Sequence, residues 1–205
     1  MKMVLLVIMF GFLVCTGSVG ASEDPWQQSY SLEEKLDYAG AAMVLQSILK
    51  KNSKHEFALT RYAWLSYLQK EYNVSKDYYE KALSINPQSL DAQLGITLPL
   101  MAQGRWQEAS NYAKKTLQIA PYQYYAHIRL MACEEALLEW NALLDHADKI
   151  SHYYPADATI LVYKARAASV KGKATIAVET YKAVLERSPG HLEAIRYLSS
   201  NSTKN

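Results

Sequence analysis

Apolar residues recur along this chain at two spacings at once: three or four residues apart within segments, and thirty-four residues apart between them. In the second half of the stretch 56–89, Ser75, Tyr79 and Leu83 follow one another at i, i+4 and i+8, the stripe of an amphipathic helix. Ala109, Ala113 and Leu117 repeat the stripe thirty-four residues on, followed by Leu143, Ala147 and Ser151, then Ala177, Tyr181 and Leu185. The first half of 56–89 carries a helical pattern of its own in Leu59, Tyr62, Ala63 and Tyr67. Breakers separate the halves, notably Gly104 and Gly172, and Pro87, Pro121, Pro155 and Pro189 close the units at the same interval of 34. A proline inside a helix costs about 3 kcal/mol, because it lacks an N–H and its ring clashes with the preceding turn. Each proline therefore marks a break between helices, and a break repeated at this period is the mark of a solenoid. The pattern predicts an all-α array of helix pairs with a 34-residue period.

With each proline at position 32, the units are 56–89, 90–123, 124–157 and 158–191. Upstream, residues 22–31 read as an extended lead-in, since Pro25 and the polar run discourage helix. Ser31 reads as the N-cap of a helix from about Leu32 to Lys51, so that 22–55 is a lead-in plus a degenerate half-repeat. Downstream, 192–198 predicts a short capping helix and 199–205 a disordered tail. One proline leaves the series: Pro99 falls inside the first helix of the second unit and predicts a kink or a break there.

The stretch Tyr78-Tyr79-Glu80-Lys81-Ala82-Leu83-Ser84-Ile85-Asn86-Pro87 and the turn Gly104-Arg105-Trp106-Gln107-Glu108-Ala109 resemble the tetratricopeptide repeat (TPR) family over about 56–198. The third unit departs from its pattern with Leu138 at the turn, and the second has Leu94-Gly95 two places early for the family's Leu-Gly pair. The resemblance implies a right-handed α-solenoid whose first helices line a concave groove for a protein or peptide. Carried over position by position, the implied contacts are Phe57, Trp64, Tyr67, Leu94, Leu98, Met101, Tyr125, Ile128 and Arg166. Thr60, Leu94, Ile128 and Val162 share position 5, which makes the groove apolar; the basic set with which chaperone-binding relatives clamp a terminal carboxylate is missing. The expected function is a scaffold or adaptor holding an apolar or amphipathic segment, in the assembly of a larger complex. The alternatives are that several of these side chains pack against the N-terminal helix or one another, and that the chain is a self-associating structural protein or an accessory subunit of a membrane or envelope enzyme complex.

The first 21 residues change the picture of where it works. Lys2, the apolar run Val4–Val14 and the small-residue stretch Cys15–Ala21 follow the order of a secretory signal, with cleavage after Ala21. Export to the periplasm or the exterior is expected. The alternatives are an N-terminal membrane anchor, the one case in which a membrane would be a partner, and a lipoprotein attached at Cys15.

Composition removes other classes. Half the residues are hydrophobic and 11% aromatic, and the net charge is only +2, so no basic groove for nucleic acid is expected. The histidines do not form a ligand set: residue 59 is Leu where His55-Glu56 would need a second histidine, and His146 and His152 are six residues apart. Glu134 and Glu135 are adjacent and point apart. No phosphate loop or nucleophile elbow is present, so neither enzyme activity, nor a cofactor, nor a metal is expected. Asn73-Val74-Ser75 and Asn201-Ser202-Thr203 match the N-glycosylation pattern, which matters only in a eukaryotic secretory setting.

Overall fold

The structure is a computed structural model and describes residues 24–202; the expected signal segment lies outside them. Among the described residues there are eleven helices and no strand. They form five antiparallel pairs: α1 (Pro25–Glu34) with α2 (Tyr38–Lys51), α3 (Glu56–Leu68) with α4 (Tyr72–Ile85), α5 (Leu90–Ala102) with α6 (Trp106–Ile119), α7 (Tyr124–Ala136) with α8 (Trp140–Ser151), and α9 (Ala158–Val170) with α10 (Ala174–Arg187). A last helix, α11 (Leu192–Ser202), covers the end. No helix among the described residues is long and apolar enough to cross a membrane.

Local chemistry starts and stops each helix at the same phase. The residue before each first helix after α1, and before α11, caps it: His55, Ser89, Gln123, Asp157 and His191 each accept from the backbone N–H three residues on. Each first helix then ends in a Schellman turn, as where Glu71 N–H bonds Ser66 O and Glu139 N–H bonds Glu134 O. Such a turn needs a left-handed residue, and Leu36, Lys70, Gly104, Leu138 and Gly172 supply it, with φ between 60° and 71°. Leu138 thus adopts the conformation for which two other units use glycine. Since 67% of Leu138 is exposed and nothing lies within 4 Å of a Cβ added to Gly172, both sites isolate the backbone cost. Gly172→Ala is expected to destabilise by about 1 kcal/mol and Leu138→Gly to stabilise by up to about 1 kcal/mol. Thermal unfolding measures both.

The core sits where the period placed it. Ala58, Ala92, Ala126, Ile160 and Ala194 at position 3 are fully buried, as are Ala41, Ser75, Ala109, Leu143 and Ala177 at position 20. Small residues let the helices approach closely, while Tyr79, Met131 and Tyr181 fill the space between pairs. Three of the four proline carbonyls are capped by the following unit. Gln93 Nε2 donates to Pro87 O (2.6 Å), His127 Nε2 to Pro121 O (2.9 Å) and Arg187 Nε to Pro155 O (2.8 Å).

Five expectations are corrected. Residues 25–34 are helical, not extended, because Pro25 sits at the first helical position, where its missing N–H costs nothing. The single helix expected from Leu32 to Lys51 is therefore two, turned at Leu36 and restarted by Asp37, whose carboxylate accepts from Gly40 N–H (2.9 Å); Ser31 is inside α1, not a cap. With Tyr38 one period before Tyr72, residues 25–51 make a full helix pair, not half of one. Helix α11 runs through Ser199 to Ser202, where a disordered tail was expected, and Asn201 Nδ2 bonds back to Tyr197 O (2.8 Å). Finally, Pro99 does not break α5. Its missing N–H removes one bond of the ladder, the one to the Gly95 carbonyl, and its ring is fully buried in the core.

Candidate functional site

Helices α3, α5, α7 and α9 pack side by side and carry the expected groove residues along one face. Side-chain placement divides those residues into three groups. Trp64 and Phe57 belong to the wall at the N-terminal end. The Trp64 indole donates to Glu33 Oε1 (2.7 Å) and packs with the α1–α2 cluster, while Phe57 lies against Trp26 with ring centroids 5.1 Å apart. Tyr67 stacks on Trp64 at 5.7 Å and extends that wall into the groove.

The second group is the middle of the groove. Leu94, Leu98, Met101 and Ile128 are partly buried, and Met101 and Ile128 also pack against core clusters. Tyr125 is the most open of the set, 58% exposed and edge-on to Tyr124. Val162 is buried in the core at 6% exposure and contributes little to the surface expected of it.

The third group is cationic. Arg166 is fully engaged: its guanidinium bonds Glu193 (2.6 and 2.8 Å) and Glu135 (3.2 Å), and Glu193 also accepts from the Tyr181 hydroxyl (2.7 Å). Those bonds hold the Arg166 pKa above its ordinary value, with Glu193 the larger cause, and tie α7, α9 and α11 together. Arg166 is thus a structural tie, with its charge already balanced.

Arg129 went unnoticed in the sequence, and it differs. One of its terminal nitrogens, Nη1, donates to Leu94 O and to Thr97 Oγ1 (2.9 Å), both on α5 beside Pro99. Among the described residues no carboxylate pairs with it; the ionisable groups that act on its charge are the hydroxyls of Tyr79, Tyr67 and Tyr125. Burial pulls its pKa below the ordinary arginine value, as it must when a half-buried charge lacks a counter-charge. The chemistry offered beside Leu94 is therefore a guanidinium without a counter-charge, held by a backbone carbonyl and a threonine hydroxyl.

The remaining candidates have structural partners. His55 caps α3, and His152 Nδ1 lies 2.8 Å from Asp148 O. No cluster of metal-ligating side chains is found among the described residues. Cys133 is fully buried, and burial pushes its thiol up to about 11, leaving it protonated at neutral pH. Asn73 is exposed on α4, but its sequon partner Ser75 is fully buried in the fold. His146 belongs to a largely buried polar chain with His127 and Glu134.

No protein-family model matches the sequence, and no curated protein matches it. Solved structures do match in fold. YrrB, described as a TPR protein with an unusual peptide-binding site, superposes with a TM-score of 0.73 at 16% identity, over 84% of this chain and 89% of its own. A tetratricopeptide repeat protein from Parabacteroides merdae gives 0.76 at 15% identity, over 86% of this chain and 70% of its own. PilW, a type IV pilus biogenesis factor, gives 0.71 at 18% identity, over 85% and 84%. The eleven helices of the described residues in a 34-residue register, the fully buried positions 3 and 20, and these superpositions agree: the chain has the tetratricopeptide-repeat fold.

Proposed function

We propose that this chain is an exported scaffold or adaptor that holds an apolar or amphipathic protein segment along its groove, as part of assembling a larger complex. Arg129 carries the reading, because a guanidinium without a counter-charge in an apolar groove is completed by a carboxylate on a partner. Leu94, Leu98 and Tyr125 supply apolar and aromatic contact on either side of it. Neighbours in fold that include a peptide-binding protein and a pilus biogenesis factor support the same direction.

Peptide display tests it. Panning a random library on the chain should enrich segments with an acidic residue among apolar ones. Arg129→Gln should weaken their binding about tenfold or more, the worth of a hydrogen bond to a charged group. Leu98→Glu should weaken it further, whereas Lys115→Ala on α6 should leave it unchanged. Binders indifferent to both groove substitutions would sink the proposal. Export has its own check, since N-terminal sequencing of the mature protein should begin at Ser22.

A second reading, self-association, is favoured by one observation. Ile195 of α11 is 39% exposed, whereas its counterparts Leu59, Gln93, His127 and Leu161 are at most 8% exposed under their partner helices. Light scattering across a concentration series separates the readings: a dimer abolished by Ile195→Glu would favour this one, and a constant monomer would remove it.

A further inference from the structure

Between α7 and α8 four groups are linked in a row by three contacts of equal length. His127 Nε2 lies 2.9 Å from Pro121 O, His127 Nδ1 lies 2.9 Å from His146 Nε2, and His146 Nδ1 lies 2.9 Å from Glu134 Oε2. His127 and Glu134 are each 5% exposed. Three hydrogen bonds need three protons. Two neutral imidazoles supply one each, and the ends of the row, a carbonyl and a carboxylate, supply none. The row is therefore one proton short unless it holds an extra one.

We propose that this seam is a proton-binding site: it takes up one proton beyond two neutral rings and an ionised Glu134, and its release loosens α7 from α8. With the proton bound, the imidazole pair carries +1, Glu134 carries −1, and all three contacts are donor to acceptor. When the proton leaves, one contact loses its hydrogen: the two rings face each other with lone pairs, His146 Nδ1 turns a lone pair on the carboxylate, or His127 Nε2 turns one on the Pro121 carbonyl. An unfolded chain has no such requirement, and its histidines titrate near ~6.5. The folded state then holds a proton that the unfolded state lacks, so stability falls as pH rises through the release.

A second proton is also unwelcome. Burial holds the His127 pKa below its ordinary value, and the charges of His146 and Lys149 push the same way while Glu134 opposes them. A base with a depressed folded pKa loses stability as pH falls below its unfolded value, here about 6.5. Stability should therefore peak in the histidine range and fall on both sides. The seam also underlies the groove, because α7 presents Ile128 and Arg129 there while His127 and Glu134 face α8.

The second unit supplies the control. At the same three positions it has Gln93, Leu100 and Tyr112, and Gln93 alone satisfies the proline carbonyl. The experiment follows the thermal midpoint of the full chain from pH 5 to 9, beside the variant His127→Gln, Glu134→Leu, His146→Tyr. The wild type is expected to lose about 3 °C or more on each side of its maximum, and the triple variant to lack both limbs. His127→Gln alone, which retains a donor for Pro121 O, should lose the acid limb and keep the alkaline one, so the test survives poor folding of the triple variant. Imidazole 15N shifts should show one ring doubly protonated at the maximum. Two neutral rings there, or matching pH profiles for the wild type and both variants, would overturn the proposal. So would a histidine-dependent rise of the midpoint on adding zinc at neutral pH, which would mean the facing lone pairs await a metal and not a proton.

Discussion

Gly95→Ala is expected to destabilise the array by roughly 3 kcal/mol, the upper end of the cost of overpacking a core. The added methyl would fall on the ring of Tyr79, inside the 3.0 Å that real Cβ contacts essentially never breach. Tyr79 is 2% exposed and wedged among Leu59, Ala63, Ile96 and Leu100, so its ring has nowhere to swing. The thermal midpoint should drop by about 9 °C in a chain of this size. Tyr79→Leu in the Gly95→Ala background should recover part of the loss, and a double-mutant cycle would show coupling well above the ~0.5 kcal/mol scatter of independent sites. Additive effects would mean that Gly95 matters for another reason. The position also explains a departure of the sequence from the TPR pattern, because the glycine lies under the tyrosine of the preceding unit.

Glu33→Ala is expected to detach α1, at a cost of about 3 kcal/mol. Glu33 holds two groups of α3 at once: the Trp64 indole (2.7 Å) and the Arg61 guanidinium (2.8 Å). Arg61 is 8% exposed, lies 3.7 Å over the Tyr30 ring and already has an unpartnered Nε, so removing Glu33 strands a buried charge. Losing one member of a buried pair costs about 3–5 kcal/mol, and the lower end applies because 22% of the Glu33 side chain remains in water. Hydrogen exchange should show residues 25–34 losing protection while α5 to α10 keep theirs, since in a solenoid each pair leans only on its neighbours. Trp64 emission should shift to the red. Unchanged protection of 25–34 would mean that apolar packing alone docks α1. Glu33→Leu combined with Arg61→Met should restore docking, because it removes both charges together.

These two sites show how unevenly the molecule can be read from its sequence. The buried alanines of positions 3 and 20 were legible because a solenoid's core is made by near neighbours in the chain, and each pair reports the same pattern again. Helix α1 was not, because its face is mostly polar and it is held by Glu33 and Ser29, whose partners Arg61 and Trp64 lie on α3, a full repeat away. Leu36, Lys70 and Leu138 gave no sign of a left-handed backbone, which the Schellman bonds around them impose on residues that would not choose it. The His127–His146 contact spans 19 residues and belongs to no helical spacing. One signal could have found it: His127 stands in the position of Gln93, six residues after the corresponding proline.

By itself the sequence determined the period, the pairing of helices and the small residues that let them pack, because these follow from local propensity and from burial repeated every 34 residues. Only the tertiary structure decided the charges within the groove. Arg166 and Arg129 are both arginines of first helices, yet Arg166 meets Glu135 and Glu193 while Arg129 meets a backbone carbonyl and a threonine. The physical reason is that ion pairing depends on how side chains from three helices are rotated toward one point. An apolar stripe says which face of a helix is buried, and nothing about which charge will stand opposite.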